Sequence, residues 1–255
     1  MSKLGRLHSN VKWSKAALAS IALSLLTGAV ALLSGAGYRL GWWGLGIGIK
    51  AISWSGMTSA ALLALALIGA IMAHKKRLRL VAVKFVAGAV IAALTAVPVA
   101  YFGYKANTLP RIHDVSTDLV NPPQFVAVLP LRKDAKNPTQ YDTKVAPLQR
   151  EGYPDIGPIS LEKSTLEVFA LAQHVAQSLD WDMVAVESNT LRIEASATTF
   201  LFGFKDDIVI RVTPTSKGST VDIRSLSRVG NSDIGANAGR IREFRRRLLD
   251  ASAPN

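Results

Sequence analysis

Three apolar runs in the first 106 residues constrain this chain more than any other feature. They are residues 16–34 (AALASIALSLLTGAVALLS), 56–73 (GMTSAALLALALIGAIMA) and 81–103 (VAVKFVAGAVIAALTAVPVAYFG). A helix needs about 20 apolar residues to cross a bilayer, and each run is of that length. No Asp or Glu occurs in residues 1–106, which hold twelve of the thirty basic residues. The other eighteen basic residues lie in 107–255 with all eighteen acidic ones, so that part is formally neutral. The net charge of +12 therefore belongs to the apolar half. It is poor support for nucleic-acid binding, which needs a basic face on a folded domain, and no nucleic-acid partner is expected.

Basic residues that flank spans set orientation. Lys3, Arg6, Lys12 and Lys15 precede the first span, and HKKRLR (74–79) joins the second to the third. The 35–55 connection carries only Arg39 and Lys50. The expected arrangement has the N-terminus and the 74–79 turn in the cytoplasm, with the 35–55 loop and everything after about 104 outside it. Ser34 and Ala36 form a small-x-small pair, but the apolar run before them exceeds the usual 7–15 residues of a signal peptide. An uncleaved anchor is the expectation. Tyr38, Trp42, Trp43, Trp54, Tyr101 and Tyr104 are placed as interface anchors.

Small residues recur every fourth position in span one (Ala16, Ser20, Ser24, Gly28) and span three (Gly88, Ala92, Ala96, Ala100). Such stripes allow close backbone approach. They predict that spans one and three pack together or pair between chains as a homo-oligomer. Lys84 is the one ionisable residue well inside a span, close enough to an end to snorkel, so a proton relay or transport path is not indicated. The glycines of GWWGLGIGIK follow no strand and lack phosphate-loop spacing.

Residues 107–255 suffice for one domain. The stretch 107–160 is rich in Pro, Asn and Asp and reads as extended chain and turns, with one short strand near Phe125–Leu129. A helix should open at about 164, with Ser164 and Glu167 as a capping box and Leu166, Phe169, Ala172, Ala176 and Leu179 as its apolar stripe. Strands are expected at 182–188, 190–198, 207–213 and 219–226. Leu191, Ile193, Ala195 and Ala197 alternate with Arg192, Glu194 and Ser196. Ile208, Ile210 and Val212 alternate with Val209 and Arg211, and Val221 and Ile223 with Asp222 and Arg224. This period of two predicts an antiparallel sheet with one covered and one polar face. A last helix is expected over about 234–250, with Ile234, Ala238, Ile241, Phe244 or Arg245, and Leu248 inward. The class is α+β: three transmembrane helices, then an extracytoplasmic antiparallel sheet covered by two helices, divided as 1–106 and 107–255.

The candidate ligand-binding residues cluster where the fourth strand ends. Arg224, Ser225, Ser227, Arg228, Asn231, Ser232 and Asp233 precede a helix start, where free N–H groups favour anions. Against a phosphate or carboxylate site stands a plainer reading. Arg224 would pair with Glu194 or Asp222, and Asp233 would cap the helix. His113, Asp114 and Asp118 could act as ligands or as acid and base, but their spacing matches no metal pattern. Asx and ST turns are the more common use of such Asp, Ser and Thr residues. Asp206 and Asp207 are neighbours on a strand and point to opposite faces, so they should not converge. His174 should face solvent. The chain has no cysteine, which excludes disulfides and thiolate chemistry, and no metal or cofactor is expected.

IHDVSTDLVNPPQF (112–125), YPDIGP (153–158), FKDDIVIRV (204–212) and VDIRSLSRVGNSDIGANAGRIREF (221–244) together resemble the domain-of-unknown-function family 1499 over about residues 110–250. The resemblance implies a bacterial envelope protein with an exported domain. It supplies no activity, cofactor or catalytic residue. Three functions are therefore open: a membrane-anchored module that binds an anionic small ligand or envelope protein, an envelope hydrolase or transferase using Asp114, Asp118 or Asp206 with Arg228, and a subunit of a membrane complex.

Overall fold

The computed structural model describes residues 3–253 and divides at residue 104 into two compact units. The first holds three long helices, α1 (Lys3–Arg39), α2 (Leu45–Lys75) and α3, which runs Arg79–Thr108 across the division. Each has the length and apolarity of a membrane span. The small-residue stripes of α1 and α3 meet inside the chain. A Cβ on Gly88 would run into Ser20, and one on Gly28 would reach Thr95 at 3.3 Å. On α2, Gly56 and Gly69 lie under Val99 and Phe85 of α3. The Ser59 hydroxyl donates to Thr27 Oγ1 of α1 at 2.7 Å. Ala17, Ala66, Ala70, Ala73, Val81, Phe85 and Ala89 form the buried seam. Close small-residue packing suits helices in lipid, where the hydrophobic effect does not drive helices together. Lys84 donates to Ser14 Oγ at 3.3 Å, near the start of α1's apolar run. Trp43 covers Gly37 and donates to the Ser34 carbonyl, while Trp42 and Trp54 are exposed.

The second unit follows the order β1 (Asp114–Ser116), α4 (Val145–Gly152), β2 (Ile159–Leu161), α5 (Thr165–Ser178), β3 (Asp182–Glu187), β4 (Arg192–Thr198), β5 (Lys205–Thr215), β6 (Gly218–Ser227) and α6 (Ala236–Ser252). The fully antiparallel sheet runs β1-β6-β5-β4-β3, and β2 also pairs with β6. The four long strands fall where the alternation places them. β1 and α4 lie within, and β2 at the end of, the stretch 107–160 read from sequence as extended chain and turns. The strand expected near Phe125–Leu129 does not form. Residues 122–126 are irregular, a 3-10 turn covers Leu129–Arg132, and Phe125 is instead buried as a plug.

Ile193, Ala195, Ile208, Ile210, Val212, Val221 and Ile223 share one sheet face, under Val168, Phe169, Ala172, Val175 and Ala176 of α5 and Ala238, Ile241, Phe244 and Leu248 of α6. Phe244, not Arg245, points inward and stacks on Trp181. The Ser164 hydroxyl accepts from the Glu167 N–H and caps α5. Leu166 departs from its expected place in the stripe. It sits 70% exposed, and Val168 and Val175 take the inward positions. His174 is exposed.

The β5–β6 turn depends on Gly218, whose φ is +138. A Cβ there would collide with the Leu161 carbonyl oxygen of β2. Gly218→Ala should therefore lose about 2–3 kcal/mol through backbone strain and the displaced β2 pairing. The measurement is the unfolding midpoint of the full chain in detergent, and an unchanged midpoint contradicts this role.

Candidate functional site

The polar sheet face is not open to solvent. Residues 117–142 lie across it, and nearly every charge in the candidate cluster is consumed in fastening them. Arg224 is fully buried in the middle of β6. Its Nε and Nη2 donate to the two carboxylate oxygens of Asp114 at 2.9 and 2.7 Å. Nη1 and Nη2 reach the carbonyls of Pro123 and Thr139 at 3.2 and 2.8 Å. The guanidinium is flanked by the rings of Phe125 and Tyr141, at 5.1 and 5.3 Å from the centroids. One side chain so ties β6 to β1 and to two points of the covering segment. Arg224 pairs with neither Glu194 nor Asp222, because each of those meets other donors. Glu194, fully buried, accepts from the backbone N–H groups of Val126 and Val128. Asp222 binds Thr117 and Arg211.

Asp207 anchors the far end of the segment. It is bound by Arg132 from the 3-10 turn, by Arg228 at 2.8 and 2.9 Å and by the Ser196 hydroxyl at 2.5 Å. Burial alone would raise its carboxyl. The bonds from Arg228 and Ser196 and the charges of Arg132 and Arg228 hold it below the usual range instead. Arg228 also donates to the Leu131 carbonyl at 2.6 Å. Burial also pushes Tyr141 up to about 12. Gln149 of α4 closes the outer edge of β1 by exchanging bonds with the N–H and C=O of Ser116. Asp118 makes the Asx turn, accepting from Val120 and Asn121, and pairs with Arg211 at 3.0 Å.

The neighbouring Asp206 points the other way, as strand geometry requires. It pairs with Arg240 of α6 at 2.8 Å. Arg240 also meets Ser225 and Asn237. The Asn237 amide bridges the His113 carbonyl and the Ser227 hydroxyl. Asp233 accepts from the N–H groups of Gly235 and Asn237 and so caps α6. Burial raises its carboxyl above the usual value despite those two bonds. Ser232 accepts from the Ile234 N–H, and Asn231 is exposed. At that helix start the Gly235 and Asn237 N–H groups are thus met by the Asp233 carboxylate and the Ala236 N–H by the Asp233 carbonyl.

The candidate residues divide into separate constellations. Asp114 with Arg224 and Asp118 with Arg211 lie under the covering segment. Arg228 closes its end with Asp207, and Ser227, Ser232 and Asp233 belong to the α6 start. The carboxylates do not converge on one point. Sequence reasoning missed Arg132, Glu194 as a backbone acceptor, Gln149, Asn237 and Arg240. Only a buried polar position at strand period could have hinted at Glu194. The others depend on contacts across long sequence separations.

The second unit is an α+β domain whose two sheet faces are covered by different means, helices on one and a pinned irregular segment on the other. Residues 114–248 match the family described as "Protein of unknown function (DUF1499)", and the chain belongs to that family. No curated protein matches the sequence.

Asp207 and Asp118, held down by the arginines and donors above, and Asp155, held down by Arg242, carry a linkage consequence. A carboxylate with a depressed folded-state pKa contributes stability above its unfolded value, about 4, and loses it as pH falls towards the folded value. The contribution of these three carboxylates should be constant above about pH 5 and be lost below about pH 4, while Asp233, whose carboxyl is raised, contributes in the opposite sense, its cost appearing as pH rises. Asp118→Asn should make the acid loss of the unfolding midpoint shallower. Equal slopes in the two proteins would remove Asp118 from the account.

Proposed function

We propose that the chain is a membrane-anchored module of the cell envelope. Its C-terminal domain lies outside the cytoplasm of a bacterial inner membrane and serves binding rather than catalysis. The observation that carries this reading is the charge partition. Twelve basic residues and no acidic ones accompany the three spans, and the basic groups gather before the first span and in the 74–79 turn. The positive-inside rule then puts both in the cytoplasm and the domain opposite. Binding is supported over catalysis because Asp114, Asp118 and Asp206 each belong to a different arginine, which removes a shared acid–base centre. An envelope protein is a better partner than a free anion, since Arg224 and Arg228 already neutralise carboxylates inside the fold.

The cysteine-free sequence makes sidedness easy to measure. Lys76→Cys and Lys217→Cys are prepared separately and treated in intact cells with a membrane-impermeant maleimide that passes only the outer membrane. Position 217 should label at once and position 76 only after lysis. The reverse pattern refutes the assigned orientation.

A further inference from the structure

The turn that joins α2 to α3 carries HKKRLR, residues 74–79, and residues 1–106 hold no Asp or Glu to neutralise it. The turn has a fixed form. Arg77 takes φ +57, its N–H donates to the His74 carbonyl at 2.8 Å, and the Leu78 N–H donates to the Ala73 carbonyl at 2.9 Å. This pair of bonds closes a helix C-terminus around a left-handed residue. Leu78 packs against the buried seam that includes Ala73. Two terminal carbonyls of α2 are thereby satisfied, so the partly negative end of the helix repels an approaching anion less.

Beside this turn lies a groove of about 460 Å³, lined by His74, Arg79, Ala82, Val83 and Val86. That volume falls within the roughly 300–1,000 Å³ of small-molecule sites. The groove follows from how α3 packs. Val81 and Phe85 turn inward, Phe85 against Gly69 of α2 and against Trp13. Val83 and Val86 are left outward, 65% and 49% exposed. The groove is therefore basic at the turn and apolar along α3. His74 and Arg79 are both exposed at its basic end, while Lys76 is held over the Trp13 ring at 5.6 Å. Val86 lies about 10 Å along the helix axis from Arg79. A bilayer's headgroup layer is roughly 5–8 Å deep on each side, so a groove that starts there at Arg79 reaches hydrocarbon by Val86.

We propose that this groove binds one anionic phospholipid. Arg79 and His74 take the headgroup phosphate, and the first acyl carbons lie along Ala82, Val83 and Val86. A guanidinium fork matches two phosphate oxygens, and the apolar trough favours an alkyl chain over water. Lys75, Lys76 and Arg77 select the charge of the headgroup. Phosphatidylcholine would bring a cationic ammonium beside them, whereas phosphatidylglycerol brings none. A free phosphate would meet the basic end but leave the trough empty. The bound lipid bridges two helices, because His74 belongs to α2 and Arg79 to α3. The inference rests on the reading of the chain as membrane-anchored and holds on either side of the bilayer.

The test is native mass spectrometry of the full chain in non-ionic detergent, titrated with phosphatidylglycerol or with phosphatidylcholine of the same acyl chains. One phosphatidylglycerol should be retained severalfold more strongly than phosphatidylcholine. Arg79→Gln should abolish that preference by removing the phosphate contact, and Val83→Trp should abolish it by filling the trough with the charges intact. Lys50→Gln, in the other connection, should leave it unchanged. Equal retention of the two lipids overturns the proposal. So does a preference that survives Val83→Trp, because charge then acts without the groove. Retention of glycerol 3-phosphate as strong as that of phosphatidylglycerol also overturns it, since the site would then take a free phosphate. If Val83→Trp lowers the helix content measured by circular dichroism, Val86→Trp supplies the reading under the same criteria. Release of the chain from cell membranes by alkaline carbonate would sink the membrane-anchored reading and this proposal together. A chain that stays in the membrane yet shows no lipid preference sinks the proposal alone.

Discussion

The domain depends on one buried ion pair, Arg224 with Asp114. A guanidinium taken fully from water carries a desolvation cost of several kcal/mol, offset only when its donors are met with good geometry. Here the carboxylate is engaged by two donors in fork geometry, two carbonyls take further bonds, and two aromatic faces enclose the plane. Every one of those partners comes from residues 114–141. Arg224 therefore decides where a segment with almost no regular structure lies. Glu194 and Asp207 repeat the device at two further points, one through backbone N–H groups and one through arginines. The result is a sheet with a hydrocarbon core on one face and a thin ionic layer on the other, which leaves little of the candidate lip's charge for an outside ligand.

The membrane unit solves its packing problem differently. Among the described residues its helices share no ion pair, and their specificity comes from the absence of side chain. Gly28, Gly56, Gly69 and Gly88 each lie against a side chain of a neighbouring helix, and one hydroxyl pair links α2 to α1. The two units thus obey the two solvents their sequences imply. Acidic residues are excluded from the first, and all are placed in the second, most of them paired with arginine.

The long regular elements were legible because their periods are physical. The alternation in 192–198, 205–212 and 219–226 and the 3.6-residue stripe of α6 follow from which side chains must leave water. The helix start at Ser164 was legible because a hydroxyl three residues before Glu167 has a local partner. The polar face was read from the same alternation, but its covering was not. A polar strand position signals only that a side chain does not belong in hydrocarbon, and Arg224 in water and Arg224 beneath Phe125 look alike in sequence. Its partner lies 110 residues away. The same blindness explains the false strand at Phe125–Leu129. Its apolar residues are inward not by alternation but because Phe125 and Val128 pack on Val209 and Leu226.

The coupling between Arg224 and Asp114 holds the covering segment in place, and a double-mutant cycle measures it. Asp114→Ala, Arg224→Met and the double variant are compared by urea unfolding of the full chain in detergent. Loss of Asp114 alone should cost about 3–5 kcal/mol, because it strands a buried charge. The double variant should recover much of that, with an interaction energy of at least about 2 kcal/mol. Additive costs, with the double variant as unstable as the two single losses combined, would show that the pair does not hold the covering segment and would contradict the account.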